Sequence, residues 1–241
     1  MLAASFSESA SGHSVLQALA QDLGGTLALP ALEDLVARLA LIPYGELAVE
    51  CADPAQLEVL QRKKYRCRPL GSSTDVQLSF LHRISPAKVL FGDVEADEDN
   101  IAATVLNSIL RCEMVLRRVL ISTLVVSGGL CMLPGLLERL TEEMARLLDL
   151  EQYASLRPLK AHINVVETEF SRNLLVWTGG SVFGALPALD RFALTKEDFA
   201  HGGVPDRIGE NYLFASRSSV QEIHSSKDRS LDRLKDSLLA S

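Results

Sequence analysis

The chain lacks most of the signatures that would announce a chemistry. Its four cysteines, Cys51, Cys67, Cys112 and Cys131, form no C-x-x-C pair, and its five histidines are scattered. Zinc-ligand spacing is therefore absent, and the cysteines read as reduced, packed thiols. No Lys or Arg precedes Arg38, which removes the basic n-region of a secretory signal and the Arg-rich face of a mitochondrial presequence. Positive charge is short overall: the net charge is −7 and the pI about 5.3. No general field draws such a protein to nucleic acid or to an anionic membrane, and the balance suits a cytosolic protein that meets other proteins. Aromatic residues make up 5% of the chain, with one tryptophan, Trp177.

What is present is a globular composition. With 241 residues, 47% apolar and 23% charged, the chain can bury a sizeable core in one large domain or two small ones. Val119 to Leu137 is uncharged for 19 residues, the length of a spanning helix. Gly128-Gly129 and Pro134-Gly135 interrupt it, dividing it into a buried strand, a turn and a helix start.

Helical spacing predicts helices over Val15 to Leu23 and Leu32 to Leu41, separated by Gly24-Gly25. Between Glu46 and Leu81 the pattern loosens, and the basic run Arg62-Lys63-Lys64, with Arg66 and Arg68, reads as a solvated loop. Val76 to Phe80 alternates like a short strand. Phe91 to Asn100 is an acidic linker whose Asp99 or Asn100 can cap a helix over Ile101 to Cys112, with Ile101, Val105, Ile109 and Leu110 on its buried stripe. Further along come an expected strand at Ile121 to Val126, a Gly-Gly turn, and a helix from Pro134 to about Leu148. Leu137, Leu140, Met144 and Leu148 face inward on that helix, and Glu142 pairs with Arg146 on its outer face. Strands near His162 to Val166 and Leu174 to Trp177 and a helix over Ser181 to Leu189 complete an α/β order. In this reading Trp177 packs in the core beside the second turn, His162 is a hydrogen-bonded interior residue, and Cys131 is a small packed thiol with no cation beside it to activate it. The polar stretch from Ser216 could hold a short amphipathic helix through Leu231, Leu234 and Leu238, or a mobile tail.

Two glycine pairs carry the functional signal. Leu124-Val125-Val126-Ser127-Gly128-Gly129 and Leu174-Leu175-Val176-Trp177-Thr178-Gly179-Gly180 each close an apolar run and open a helix-like one. Such a joint can be a structural turn, a phosphate or adenosine contact, or a close-packed strand-helix junction. Neither fits G-x-G-x-x-G or G-x-x-x-x-G-K-[ST], and no Lys follows to meet a phosphate.

The stretch from Leu124 through Gly128-Gly129, Met132 and Pro134-Gly135 to Leu140 closely resembles the strand-loop-helix of the actin family, in which S-G-G, a Met and P-G follow in that order. Val176-Trp177-Thr178-Gly179-Gly180-Ser181 resembles the family's later W-x-G-G-S segment, and Thr195-Lys196-Glu197-Asp198-Phe199 its K-x-[DE]-[FY] element. The resemblance runs from about Val15 to Pro205. Met132-Leu133-Pro134-Gly135, Phe183-Gly184-Ala185-Leu186 and Gly203-Val204-Pro205-Asp206 are most similar to the divergent branch at the pointed end of dynactin; conventional actins carry an aromatic where Leu133 stands.

The resemblance implies an α/β, actin-like (ribonuclease H-like) ATPase fold, present as its C-terminal lobe with a small helical upper subdomain. It implies a disordered start over 1–14, a partial upper subdomain over 15–75, a core subdomain over 76–205 and a polar tail over 206–241. The N-terminal lobe, with its two phosphate hairpins and metal-organising carboxylates, has no counterpart in the sequence. The family's nucleoside-contacting Lys-Glu pair falls on Val36 and Ala37, and a further Lys on Asn173. Loss of those contacts is expected to cost several kcal/mol of binding, leaving Gly128, Gly129 and Met132 as a vestigial adenine-side surface. The resemblance thus implies no catalysis, no metal and no cofactor, with residual ATP or ADP binding reserved for a longer form. Its implied partners are dynactin pointed-end subunits and an actin-related filament, with neither nucleic acid nor membrane insertion. Two alternatives stay open: a truncated ATP-binding relative from the wider superfamily of sugar kinases and chaperones, and an actin-related subunit of a chromatin-remodelling complex.

Overall fold

Ser11 opens the first helix, α1 (Gly12–Asp22), its hydroxyl accepting the Ser14 amide at 3.3 Å. The computed structural model describes residues 11–96, 98–187, 189 and 193–202. The expected amphipathic segment at 206–241 lies outside them, as do residues 1–10 and the Gly203 to Asp206 motif. Of the described residues, those from Ser11 to Val176 form one compact unit and those from Trp177 to Gly202 a second.

In the first unit, α1 and α2 (Leu29–Leu39) follow the predicted stripes. Val15, Leu19, Leu32, Leu35 and Val36 are buried together with Ile42, Leu78, Leu90, Leu133 and Leu136. The supposed loose stretch is ordered. It contains α3 (Gly45–Ala52), α4 (Pro54–Gln61), and a hairpin of β1 (Lys64–Cys67) and β2 (Val76–Ser79). Asp53 accepts the Ala55 amide at 2.9 Å and Pro54 occupies the first turn of α4, a start signal that weak apolar periodicity concealed. The basic run is accordingly not a loop: Arg62 closes α4 and Lys64 opens β1. The strands pair antiparallel with Tyr65 opposite Leu78. Tyr65 and Cys67 lie against the core, while Lys64 and Arg66 are exposed.

Helix α5 (Phe80–Leu90) starts from a reciprocal cap between Ser79 and His82. Helix α6 (Ile101–Arg111) is capped by Asn100, which accepts the Ala102 and Ala103 amides at 3.0 and 3.2 Å. Its fully buried face is rotated from the expected stripe, toward Ala102, Ala103, Leu106 and Ile109; Ile101, Val105 and Leu110 are half-buried. Small alanines let α6 approach α8 (Leu136–Leu147), whose Leu140, Met144 and Leu147 share a second core with Leu148, Tyr153 and Leu156. Leu137 is only partly buried and packs on the first core.

Charges on α8 also divide differently from expectation. Glu142 accepts the Gly45 amide through both oxygens at 3.1 Å, at the N-terminus of α3, where the helix dipole favours an anion. Arg146 turns to the neighbouring Glu143. Glu143 is buried, and takes Arg146 Nη2 at 2.7 Å, Arg139 Nη2 at 3.3 Å and Asn100 Nδ2 at 3.2 Å. Burial raises its pKa, but the Arg146 hydrogen bond and charge, Arg139 and Asn100 outweigh burial and hold the carboxyl below its ordinary value.

The largest corrections concern the strands. Helix α7 (Met114–Ser122) takes the start of the expected strand over Ile121 to Val126, and only a single parallel bridge, Leu124 with Val165, remains. His162 ends a 3-10 turn, Arg157–His162, and its buried Nδ1 has no hydrogen-bond partner among the described residues, contrary to the satisfied interior residue expected. The segment read as a strand at Leu174 to Trp177 enters α9 (Leu175–Gly184), which therefore begins before the expected Ser181 and contains Gly179-Gly180 within it. The second glycine pair is not a turn, and Trp177 is 71% exposed instead of packed in the core. A strand needs a neighbour to take its backbone hydrogen bonds; among the described residues none flanks this segment, whereas a helix satisfies those groups internally. Helix α10 (Lys196–Gly202) carries the K-x-[DE]-[FY] element. No helix among the described residues is long and apolar enough to cross a membrane.

Candidate functional site: the first glycine loop

The expected site residues do gather in one loop. Val126 leads into Gly128, whose φ of 117° lies in the region that disfavours a side chain, and Gly129–Met132 then forms one 3-10 turn. A Cβ placed at Gly128 or Gly129 would meet nothing within 4 Å. The backbone is thus open to close approach from outside. Met132 is 54% exposed, and its Sδ lies 3.6 Å from the Ser171 hydroxyl oxygen.

The loop is held from beneath by a residue that sequence reasoning passed over. Arg172 donates from Nη1 to the Val126 carbonyl at 3.1 Å and from Nη2 to the Val166 carbonyl at 2.9 Å, while its own carbonyl accepts the Gly128 amide at 3.1 Å. The guanidinium takes carbonyls that a longer parallel ladder would have used, which accounts for pairing that stops near Leu124 and Val165. An arginine just before an apolar run was the available signal. Its fork geometry suits two carbonyls at once.

Of the adenosine-facing positions, Asn173 lies beside this loop, next to Ser171 and Met132, whereas the two on α2 do not join it. Val36 is buried in the first core and Ala37 is exposed on α2. Asn173 accepts the Ser171 hydroxyl at 2.6 Å, so its carbonyl is engaged locally. Cys131 is half-buried; burial raises its thiol pKa against the opposing pull of Arg172. That keeps it protonated at neutral pH and makes it a poor nucleophile. The described residues contain no group of three or more His, Cys, Asp or Glu able to hold a metal ion. An open cleft of about 540 Å3 lies elsewhere, between Lys88, Val89, Phe91, Gly92, Asp93, Glu98 and Asp99. It shares no residue with the loop.

The loop thus presents open glycine backbone with an exposed methionine beside it. Comparison with known proteins fixes the ancestry of this loop: the family model described as actin matches residues 77–208, more than half of the chain and all of the glycine loop.

The chain belongs to the actin family.

Three relatives show how far it has diverged. It is 36% identical over 90 residues to actin-related protein 10 of Dictyostelium discoideum, covering 36% of this chain and 19% of that protein. The SWI/SNF and RSC complexes subunit arp42 of Schizosaccharomyces pombe is 32% identical over 100 residues, or 42% of this chain and 22% of its own length. The D. discoideum protein carrying the name actin-29 is 31% identical over 99 residues, 40% of this chain and 23% of that protein. The matched stretch thus spans about a fifth of the length of these curated relatives. Among the described residues many helices accompany a small sheet, in keeping with an actin-like α/β fold.

Proposed function

We propose that this actin-family chain is a non-catalytic structural subunit. In this reading it is an actin-like lobe of the actin-related protein 10 type, at the pointed end of the dynactin filament. It supports dynein and dynactin transport along microtubules, in the cytoplasm and in association with the cytoskeleton. The observation that carries the reading is the fate of the nucleoside-facing positions. Where the family's resemblance calls for a Lys-Glu pair, Val36 is a core residue and Ala37 a methyl group; where it calls for a further Lys, Asn173 is bonded to Ser171. The glycine loop persists, but as a turn fastened by Arg172. Similarity to actin-related protein 10 supports the branch. In this reading the chain works through its surfaces, without metal or cofactor, and its partners are pointed-end subunits and an actin-related filament; residual ATP or ADP binding belongs to a longer form.

A second reading has its own support in the similarity to the arp42 subunit of SWI/SNF and RSC complexes, which favours a chromatin-remodelling assembly. Affinity purification of the tagged native protein followed by mass spectrometry separates the two. Dynactin pointed-end subunits are the expected companions; remodelling subunits in their place would transfer the assignment. Calorimetric titration of the purified chain with magnesium ATP is expected to show no saturable heat, and a mutation-sensitive hydrolysis rate would refute the non-catalytic role.

A further inference from the structure

Outside the family match, the chain carries a concentrated basic surface at odds with its net charge of −7: Arg62, Lys63, Lys64, Arg66 and Arg68, at and around β1. Some of this charge is spent locally. Arg62 meets Glu58 at 3.1 Å, and Arg66 and Arg68 share Asp75 at 3.6 and 3.0 Å. Among the described residues Lys63 and Lys64 have no ion partner, and the Arg66 side chain is 81% exposed. The strand beneath is bonded on one side only. The sheet consists of β1 and β2, and no other described backbone group bonds to Lys64–Cys67.

This edge is also held firmly. Arg38 Nη2 donates to the Arg68 carbonyl at 2.9 Å and binds Asp34, whose Oδ2 accepts the Leu70 amide at 2.9 Å. The end of β1 is thereby clamped to α2. On the inward face, the Arg83 guanidinium lies 4.4 Å from the centre of the Tyr65 ring and donates to the Leu39 carbonyl at 2.7 Å. The strand therefore presents a preformed row of backbone groups, with cations on one face and Tyr65 and Cys67 on the other.

We propose that the free edge of β1 is a docking site for an acidic, extended segment of a partner protein, which adds as a third strand. Charge decides the occupant. A second copy of β1 would set Lys64 and Arg66 against the same cations, and like charges across a strand pair are unfavourable. The cations that protect the edge from its own kind thus select a strand with carboxylates at alternate positions, aligned with Lys64 and Arg66, and apolar residues between them beside Tyr65. The inference does not depend on the structural-subunit reading, since β1 lies outside both the glycine loop and the matched stretch.

The test uses the full chain and a short, fluorescently labelled peptide of alternating Glu and Val, at low salt, with hydrogen exchange followed over residues 64–67. Binding should slow exchange of the amides in that stretch that point away from β2. The charge-reversed double variant Lys64→Glu with Arg66→Glu should weaken binding by about tenfold or more while leaving the thermal transition in place, and a Lys-Val peptide should recover affinity for that variant. Absence of binding, or binding that leaves exchange at 64–67 unchanged, overturns the proposal. So does preferential capture of oligouridylate or phosphatidylserine vesicles through the same two residues, which would assign the surface to nucleic acid or to membrane.

Discussion

Gly135 and Gly129 sit six residues apart and have opposite roles. Gly135 has a φ of 85°, and a Cβ there would fall 2.1 Å from the Ile42 carbonyl oxygen and 2.8 Å from Tyr44 Cδ1. Backbone strain and a clash with main chain then act together, so Gly135→Ala is expected to cost about 3 kcal/mol or more, measured as a lowered urea midpoint. Gly129 has open space and no positive φ; Gly129→Ala should stay within about 0.5 kcal/mol of wild type. Equal losses in the two variants would refute this division. The residues around Gly128 were legible because a Gly-Gly after an apolar run is a local signal. Arg172 was not, because its task is to reach the carbonyls of Val126 and Val166, and spacing along the chain does not report who stands opposite.

At the scale of elements, the most consequential arrangement is the knot that joins the start of α6 to the middle of α8. Asn100 caps α6, donates to the Gly92 carbonyl at 2.8 Å, and reaches Glu143 between Arg139 and Arg146. Because the folded state holds the Glu143 pKa below its unfolded value, its contribution is complete above the unfolded pKa, about 4.3. It is lost as pH falls through the lower, folded value. Glu143→Gln should therefore destabilise by about 1–3 kcal/mol at neutral pH, with the gap to wild type closing on acidification. Chemical denaturation across the acid range measures it, and a gap independent of pH would refute the charge argument. The boundaries of α6 and α8 were readable from cap and period, whereas a buried glutamate was not, since polar residues at helical spacing ordinarily face water. The strand-like runs at Ile121 and Leu174 misled for a related reason. Apolar β-branched composition fits either state, and Arg117, donating to the Leu110 and Cys112 carbonyls at 2.7 and 3.1 Å, secures the turn from α6 into a helical α7.

At the scale of the whole first unit, two cores are joined through one helix. Leu136 of α8 belongs to the core of α1 and α2, while Leu140, Met144 and Leu147 belong to the core of α6 and Tyr153. Leu147 is fully buried, and Leu147→Ala is expected to cost about 3 kcal/mol. Because the helix is shared, amide protection over residues 15–39 should fall together with that over 102–110 in exchange experiments. A loss confined to 102–110 would mean that the cores unfold separately.

The same helix constrains the glycine loop in front of it. Pro134 accepts the Ile42 amide at 2.9 Å, Gly135 is pressed against the Ile42 carbonyl, and Glu142 grips the amide of Gly45. Three fastenings thus rivet the Ile42 to Gly45 strip along α8 like a splint. The loop is open at Gly128 and Gly129, while its far end at Pro134 and Gly135 is anchored, so force applied there would be borne by the strip that feeds α3.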